Sequence, residues 1–169
     1  MKIIACILFL LSALWIGLEI AKSQRERLTL IKNLVRTTEY MHTELNAKPC
    51  AIDELCDKAS AINEGQIKCF LISVCQEMNS IGQQSFKETW RVCCMDKLNA
   101  LGKDELGAML ELGDTLGAYD LAAQLKAINI CATKLMEIYQ THKERYNNNK
   151  KLYIALPCSV ACMILMLIV

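Results

Sequence analysis

At 169 residues the chain has room for one domain, and 53% hydrophobic against 22% charged residues is apolar for a soluble protein of that size, so part of it is expected in lipid. A formal net charge of +1, with no basic stripe interleaved with aromatics, lacks the electrostatic footprint of a nucleic-acid binder, and no nucleic-acid partner is expected. Only 7 Gly and 2 Pro leave little punctuation for turns, which argues against a sheet-rich fold and for long helices.

The first element is apolar. From Ile3 to Ala21 the chain reads IIACILFLLSALWIGLEIA, long enough to cross a hydrocarbon core of roughly 30 Å at about 1.5 Å per residue. No small-x-small cleavage site follows and a helical pattern runs on from its end, so residues 1–21 read as an uncleaved transmembrane helix rather than a signal peptide. Glu19 sits close enough to the interface to be hydrated or paired with Lys22, or with Lys2 of another copy, and so leaves room for a homo-oligomer.

Beyond this span Leu28, Ile31, Leu34, Val35, Thr38, Met41 and Leu45 recur at steps of three and four, which extends the same helix to a stop at Asn46–Pro49. Pro49 suits the first turn of a short helix carrying Ile52, Leu55, Cys56 and Ala59, closed by Asn63-Glu64-Gly65. A helix over 66–79 turns Ile67, Phe70, Leu71, Val74, Cys75 and Met78 to its apolar side, and 80–84 is a loop. Ser85-x-x-Glu88 fits a capping box ahead of Trp90, Cys93, Cys94 and Leu98. Asp104 and Glu105 place negative charge at the positive end of a helix with Leu106, Met109, Leu110, Leu112 and Leu116. Gly113 and Gly117 are four apart, hence on one face, where a second backbone could approach; Gly117 also suits a left-handed C-terminal position.

From Asp120, Leu121, Leu125, Ile128, Ala132, Leu135 and Tyr139 alternate four and three apart, the seam of a helix packed lengthwise on others. It is expected to run on through the polar stretch YNNNKK, whose poor helix formers loosen the junction, into a second transmembrane helix over residues 152–169, kinked at Pro157. Lys22, Arg25 and Arg27 after the first span, and Lys143, Arg145, Lys150 and Lys151 before the second, put residues 22–151 in the cytoplasm and both termini outside. The fold class expected is all-α: a cytoplasmic helical bundle between an N-terminal and a C-terminal transmembrane helix.

Ten cysteines lie within helical, apolar patterns, unlike a disulfide framework, and read as small buried hydrophobes kept reduced in the cytoplasm. No zinc spacing is evident, and His42 and His142 read as solvated, so neither cofactor nor metal is expected. Catalysis needs a nucleophile beside a base, paired carboxylates, or a metal with an open position, and none can be placed; no enzyme is expected. Glu111, Asp114 and Glu137 read either as an acidic partner face or as an ordinary solvated one. The Cys93-Cys94 pair keeps open an alternative function, a membrane-anchored thiol- or metal-sensing protein.

Three stretches carry a resemblance to a known family. They are Trp15-x-Gly17-x-Glu19-x-Ala21-Lys22 with Glu26-Arg27; Leu112-Gly113-x-x-Leu116-Gly117-x-x-Asp120-x-x-x-Gln124 with Ile128; and Lys151-x-Tyr153 with Leu156. At these spacings the chain resembles the stage III sporulation protein AB family, along almost its whole length. Lys48-Pro49-Cys50 departs from a Thr-Pro-Leu turn, Pro157 stands where glycine is common, and Ala118-Tyr119 replaces serines before the aspartate, which puts the side-chain cap of the last helix in doubt. The family is similar to inner-membrane platform proteins of type II secretion and type IV pilus systems. The resemblance implies a scaffold in the mother-cell membrane around the forespore, docking the secretion-type ATPase stage III sporulation protein AA to the other stage III sporulation channel proteins. It makes Gly113, Gly117, Asp120, Gln124, Trp15 and Glu19 the candidate structural or interaction residues.

Overall fold

A computed structural model describes the backbone of residues 2–80, 85–117 and 120–168, and within them the side chains of 11–12, 14–78, 85–117, 120–149, 155 and 159–160. Among the described residues the chain is wholly helical: α1 Lys2–Ala47, α2 Ile52–Ala61, α3 Gly65–Ser80, α4 Phe86–Lys97, α5 Lys103–Leu116 and α6 Leu121–Ile168. The all-α class read from composition and periodicity is therefore found. The chain divides into two compact units, Met1–Leu28 with Thr141–Val169, and Thr29–Gln140.

In the unit Thr29–Gln140 the apolar stripes of all six helices meet in one core. Leu34, Val35, Met41 and Leu45 of α1 share it with Leu55 and Cys56 of α2, Phe70 and Val74 of α3, Trp90 and Cys94 of α4, Leu112 and Leu116 of α5, and Ile128 and Leu135 of α6. These are the residues that the steps of three and four pick out, because only one side of each helix can leave water. Fixed contacts tie neighbouring helices. Lys58 Nζ of α2 bonds Glu44 Oε1 of α1 at 2.7 Å, and Thr37 Oγ1 of α1 lies 2.9 Å from Asn63 Oδ1 beyond α2. Cys131 Sγ of α6 donates to the carbonyl of Ala108 in α5 at 3.5 Å.

The ends of the helices depart from the sequence reading in four places. Pro49 lies outside α2, whose N-cap is Ala51 in extended backbone with no side-chain bond; the chain leaving α1 needs Lys48–Cys50 as connector before a new helix can start. Gly65, at a φ of 61°, opens α3, and its left-handed backbone makes the turn out of α2 that a side chain would strain. Gly117 is not left-handed: it caps α5 at φ −82°, ψ 2°. Residues 146–151 are helical within α6, so three asparagines do not break it; helix on both sides outweighs a propensity deficit of a few tenths of a kcal/mol each. The 81–84 portion of the expected loop and Ala118-Tyr119 lie outside the described residues.

Among the described residues no helix is long and apolar enough to cross a membrane. Most of the two segments expected to do so, and Pro157 with them, falls where side chains lie outside the described residues. In the unit that holds both chain ends, the described part of the first segment is apolar on its outside: Leu11, Leu14, Trp15, Ile16, Leu18 and Ile20 are all exposed, Trp15 at 74%.

Candidate functional site

The segment around Gly113 is built from an aromatic cluster. Ser85 starts α4 as its N-cap, its hydroxyl accepting the Glu88 N–H at 3.4 Å, and so fixes the register that turns Phe86 and Trp90 toward α5. The Trp90 indole N–H donates to the Met109 carbonyl at 2.7 Å, and its ring meets Phe70 edge-on with centroids 4.8 Å apart. A side chain on Gly113 would start 2.1 Å from Trp90 Cδ1, and one on Gly117 would start 3.1 Å from Phe86 Cδ1. The glycine face expected to admit a second backbone therefore admits two aromatic side chains of α4 instead.

Asp120 caps the first turn of α6. Its Oδ1 accepts the Ala122 N–H at 3.0 Å at the first turn of α6, and its carbonyl accepts Gln124 N at 3.0 Å. Gln124 is half-buried. Gly113, Gly117, Asp120 and Gln124 thus follow one another along the end of α5 and the start of α6. Trp15 and Glu19 belong to the other unit, where Glu19 lies 4.0 Å from Lys22, an exposed pair of little energetic weight.

Two acidic side chains on α5 are paired with lysines of neighbouring helices. Glu111 is bonded to Lys134 of α6, and Asp114 lies 3.1 Å from Lys87 of α4. An open groove of about 300 Å³ runs between α5 and α6, lined by Glu111, Asp114, Ala127 and Ile130 among others. A second, of about 460 Å³, lies between α3 and α4, with Gln76 and Glu77 on one wall and Thr89, Val92 and Asp96 on the other. Both are mixed in polarity, with Val92 and Met95 exposed on α4.

Cys56, Cys93, Cys94 and Cys131 are buried, Cys50 and Cys75 half-buried and Cys69 exposed, so Cys69 departs from the expected core role. Burial pushes the Cys94 thiol well above its ordinary range and the Cys131 thiol up to about 12. Cys56 is raised by its interaction with the Cys75 thiol and by burial, whereas the same interaction lowers Cys75. Lys58 is held above its usual range by its bonds to Glu44 and Glu54. Among the described residues no group of three or more His, Cys, Asp and Glu converges to hold a metal ion. His42 and His142 are half-buried rather than fully solvated.

Two side chains escape the sequence reading. Glu105, read only as a negative charge at the start of α5, is completely buried; its spacing from Met109, Leu112 and Leu116 is the signal that places it on the core stripe. Trp90 stood out only as an apolar position, and nothing local shows that its ring fits a glycine 23 residues later.

A solved structure of a Stage III sporulation protein AB superposes with a TM-score of 0.64 at 18% identity, covering 72% of this chain and 97% of that one, a likeness that speaks for the fold. No curated protein matches the chain. The family profile described as Stage III sporulation protein AB matches residues 2–169. Since that match takes in nearly the entire sequence, the chain belongs to the Stage III sporulation protein AB family, and its role lies in sporulation.

Proposed function

We propose that the chain is a non-enzymatic scaffold of the stage III sporulation channel, anchored in the mother-cell membrane by its two apolar ends, with residues 22–151 in the cytoplasm docking a secretion-type ATPase, stage III sporulation protein AA. The observation that carries the membrane part is the run Leu11, Leu14, Trp15, Ile16, Leu18 and Ile20, apolar and exposed around the helix. So much exposed apolar surface on one helix needs an apolar surround, and bilayer supplies it without a matching protein surface. The basic residues that follow α1's apolar part and precede α6's support the cytoplasmic side for what lies between.

The docking part rests on the family and on the character of the folded body. Three of its ion pairs, Lys58 to Glu44, Lys134 to Glu111 and Lys87 to Asp114, join one helix to another, which suits a rigid platform. The experiment is co-purification of the full-length chain, in detergent, with stage III sporulation protein AA. Retention of the ATPase is expected; its complete loss to the wash, while circular dichroism still reports a helical chain, refutes the docking role.

A further inference from the structure

Five glycines are described in the unit Thr29–Gln140, and four of them have a reason inside the chain. Gly65 holds a left-handed backbone, Gly102 stands at the N-cap of α5, and Gly113 and Gly117 make room for Trp90 and Phe86. Gly107 has no such reason. It lies in the interior of α5, half-buried, and an added Cβ there would meet nothing within 4 Å. Glycine costs a helix interior about 1 kcal/mol relative to alanine, and no contact among the described residues offsets that cost at Gly107.

Gly107 opens onto a furrow. The groove of about 300 Å³ between α5 and α6 is followed along the same two helices by another of about 360 Å³, and the two share Ala108 and Glu111. Gly107 and Ala108 line it from α5 and Ile138 from α6, with Ile130 44% exposed further along. The ion pair of Lys134 with Glu111 crosses it midway. Acid exceeds base on its walls: Asp104, Glu111, Asp114 and Glu137 stand against Lys103 and Lys134, while Lys87 of α4 reaches Asp114 from outside. Asp104, one turn before Gly107, and Glu137, on the facing wall, are both exposed.

We propose that this furrow receives an α-helix of a partner protein, which crosses closely at Gly107 and carries Lys or Arg side chains that meet Asp104 and Glu137. Two packed helices leave a groove in which the side-chain ridge of a third can seat, with axes about 8–10 Å apart. The missing Cβ at the crossing lets the visiting backbone come nearer than any other residue allows. Ile130 and Ile138 leave water beneath it. Exposed carboxylates on both walls favour a basic visitor over an acidic one, in the encounter and in the choice of partner. The furrow need not be where the ATPase docks, so loss of the ATPase in the co-purification above does not touch it, and an empty furrow leaves the ATPase other faces.

A photo-crosslinking side chain is placed in the full-length chain in sporulating cells, at Ile130 beside the furrow or at Lys68, exposed on α3, and the adducts are sequenced by mass spectrometry. The adduct expected at Ile130 joins a peptide of another protein that is basic and has its apolar residues at helical spacing, and Lys68 does not capture it. Gly107→Leu is expected to cut the yield about tenfold or more without lowering the unfolding temperature, because the space it fills is open within the chain. Should Gly107→Leu fail to accumulate, Asp104→Lys combined with Glu137→Lys, both on the surface, is expected to reduce the yield in the same way. An acidic or uncharged peptide, a peptide from a second copy of this chain, a yield at Ile130 no higher than at Lys68, or an adduct untouched by these variants overturns the proposal.

Discussion

Trp90 is fixed on three sides: by its hydrogen bond to Met109, by the edge of Phe70, and by the bare Cα of Gly113. A methyl group at Gly113 would have to displace a buried ring with nowhere to go. Gly113→Ala is therefore expected to destabilise the chain by about 1–3 kcal/mol, as overpacking of a filled core does. Gly107, on the same helix, has nothing within 4 Å of an added Cβ, and Gly107→Ala is expected to be neutral or to stabilise by up to about 1 kcal/mol through helix propensity. Thermal unfolding of the two variants side by side checks the contrast. The buried thiols give the fold a pH dependence. The folded state prefers the protonated form of Cys94 and Cys131, so their contribution is full below pH 9, the ordinary thiol value, and falls as pH rises until the folded groups ionise, at about 12 for Cys131. Over that window each thiol is expected to remove stability at about 1.4 kcal/mol per pH unit, with Lys58 acting in the same sense above its own ordinary range. Denaturant titrations across alkaline pH should show that slope, and Cys131→Ala should flatten it.

Two helices, α4 and α6, carry a side-chain start signal, and these differ in how openly the sequence shows them. Ser85 announces α4 through Ser-x-x-Glu spacing, and the structure has the serine in place. Asp120 announces α6 less plainly, because the aspartate itself, with no serine before it, does the capping. Asp120→Ala is expected to cost about 1 kcal/mol and to raise amide exchange in the first turn of α6; unchanged exchange there would contradict its capping role. The apolar stripes of α1, α3 and α6 were legible because burial on one side of a helix leaves a period in the sequence. Pro49 and Gly117 misled because proline and glycine each suit several positions near a helix end, and only the path of the chain to the next helix selects among them. Trp90 against Gly113 was illegible for a different reason: complementarity between residues of two helices leaves no mark in either one.

At the scale of the whole molecule, periodicity and composition suffice for an all-α body with one core, and the family match over residues 2–169 places that body in sporulation. Which face meets a partner is not written in any period, since an exposed Val92 or Met95 looks the same in sequence whether water or protein covers it. The membrane reading depends on the apolar ends and on the basic residues that bracket the body. Cys69, exposed on α3, offers a direct probe of it. Membranes from cells producing the chain, washed with alkaline carbonate and sealed either right side out or inverted, are treated with a membrane-impermeant maleimide, and labelling of Cys69 is read by peptide mapping. The account expects the chain to stay in the washed membrane and Cys69 to be labelled only in inverted vesicles; labelling in right-side-out vesicles, or release of the chain by the wash, would contradict it.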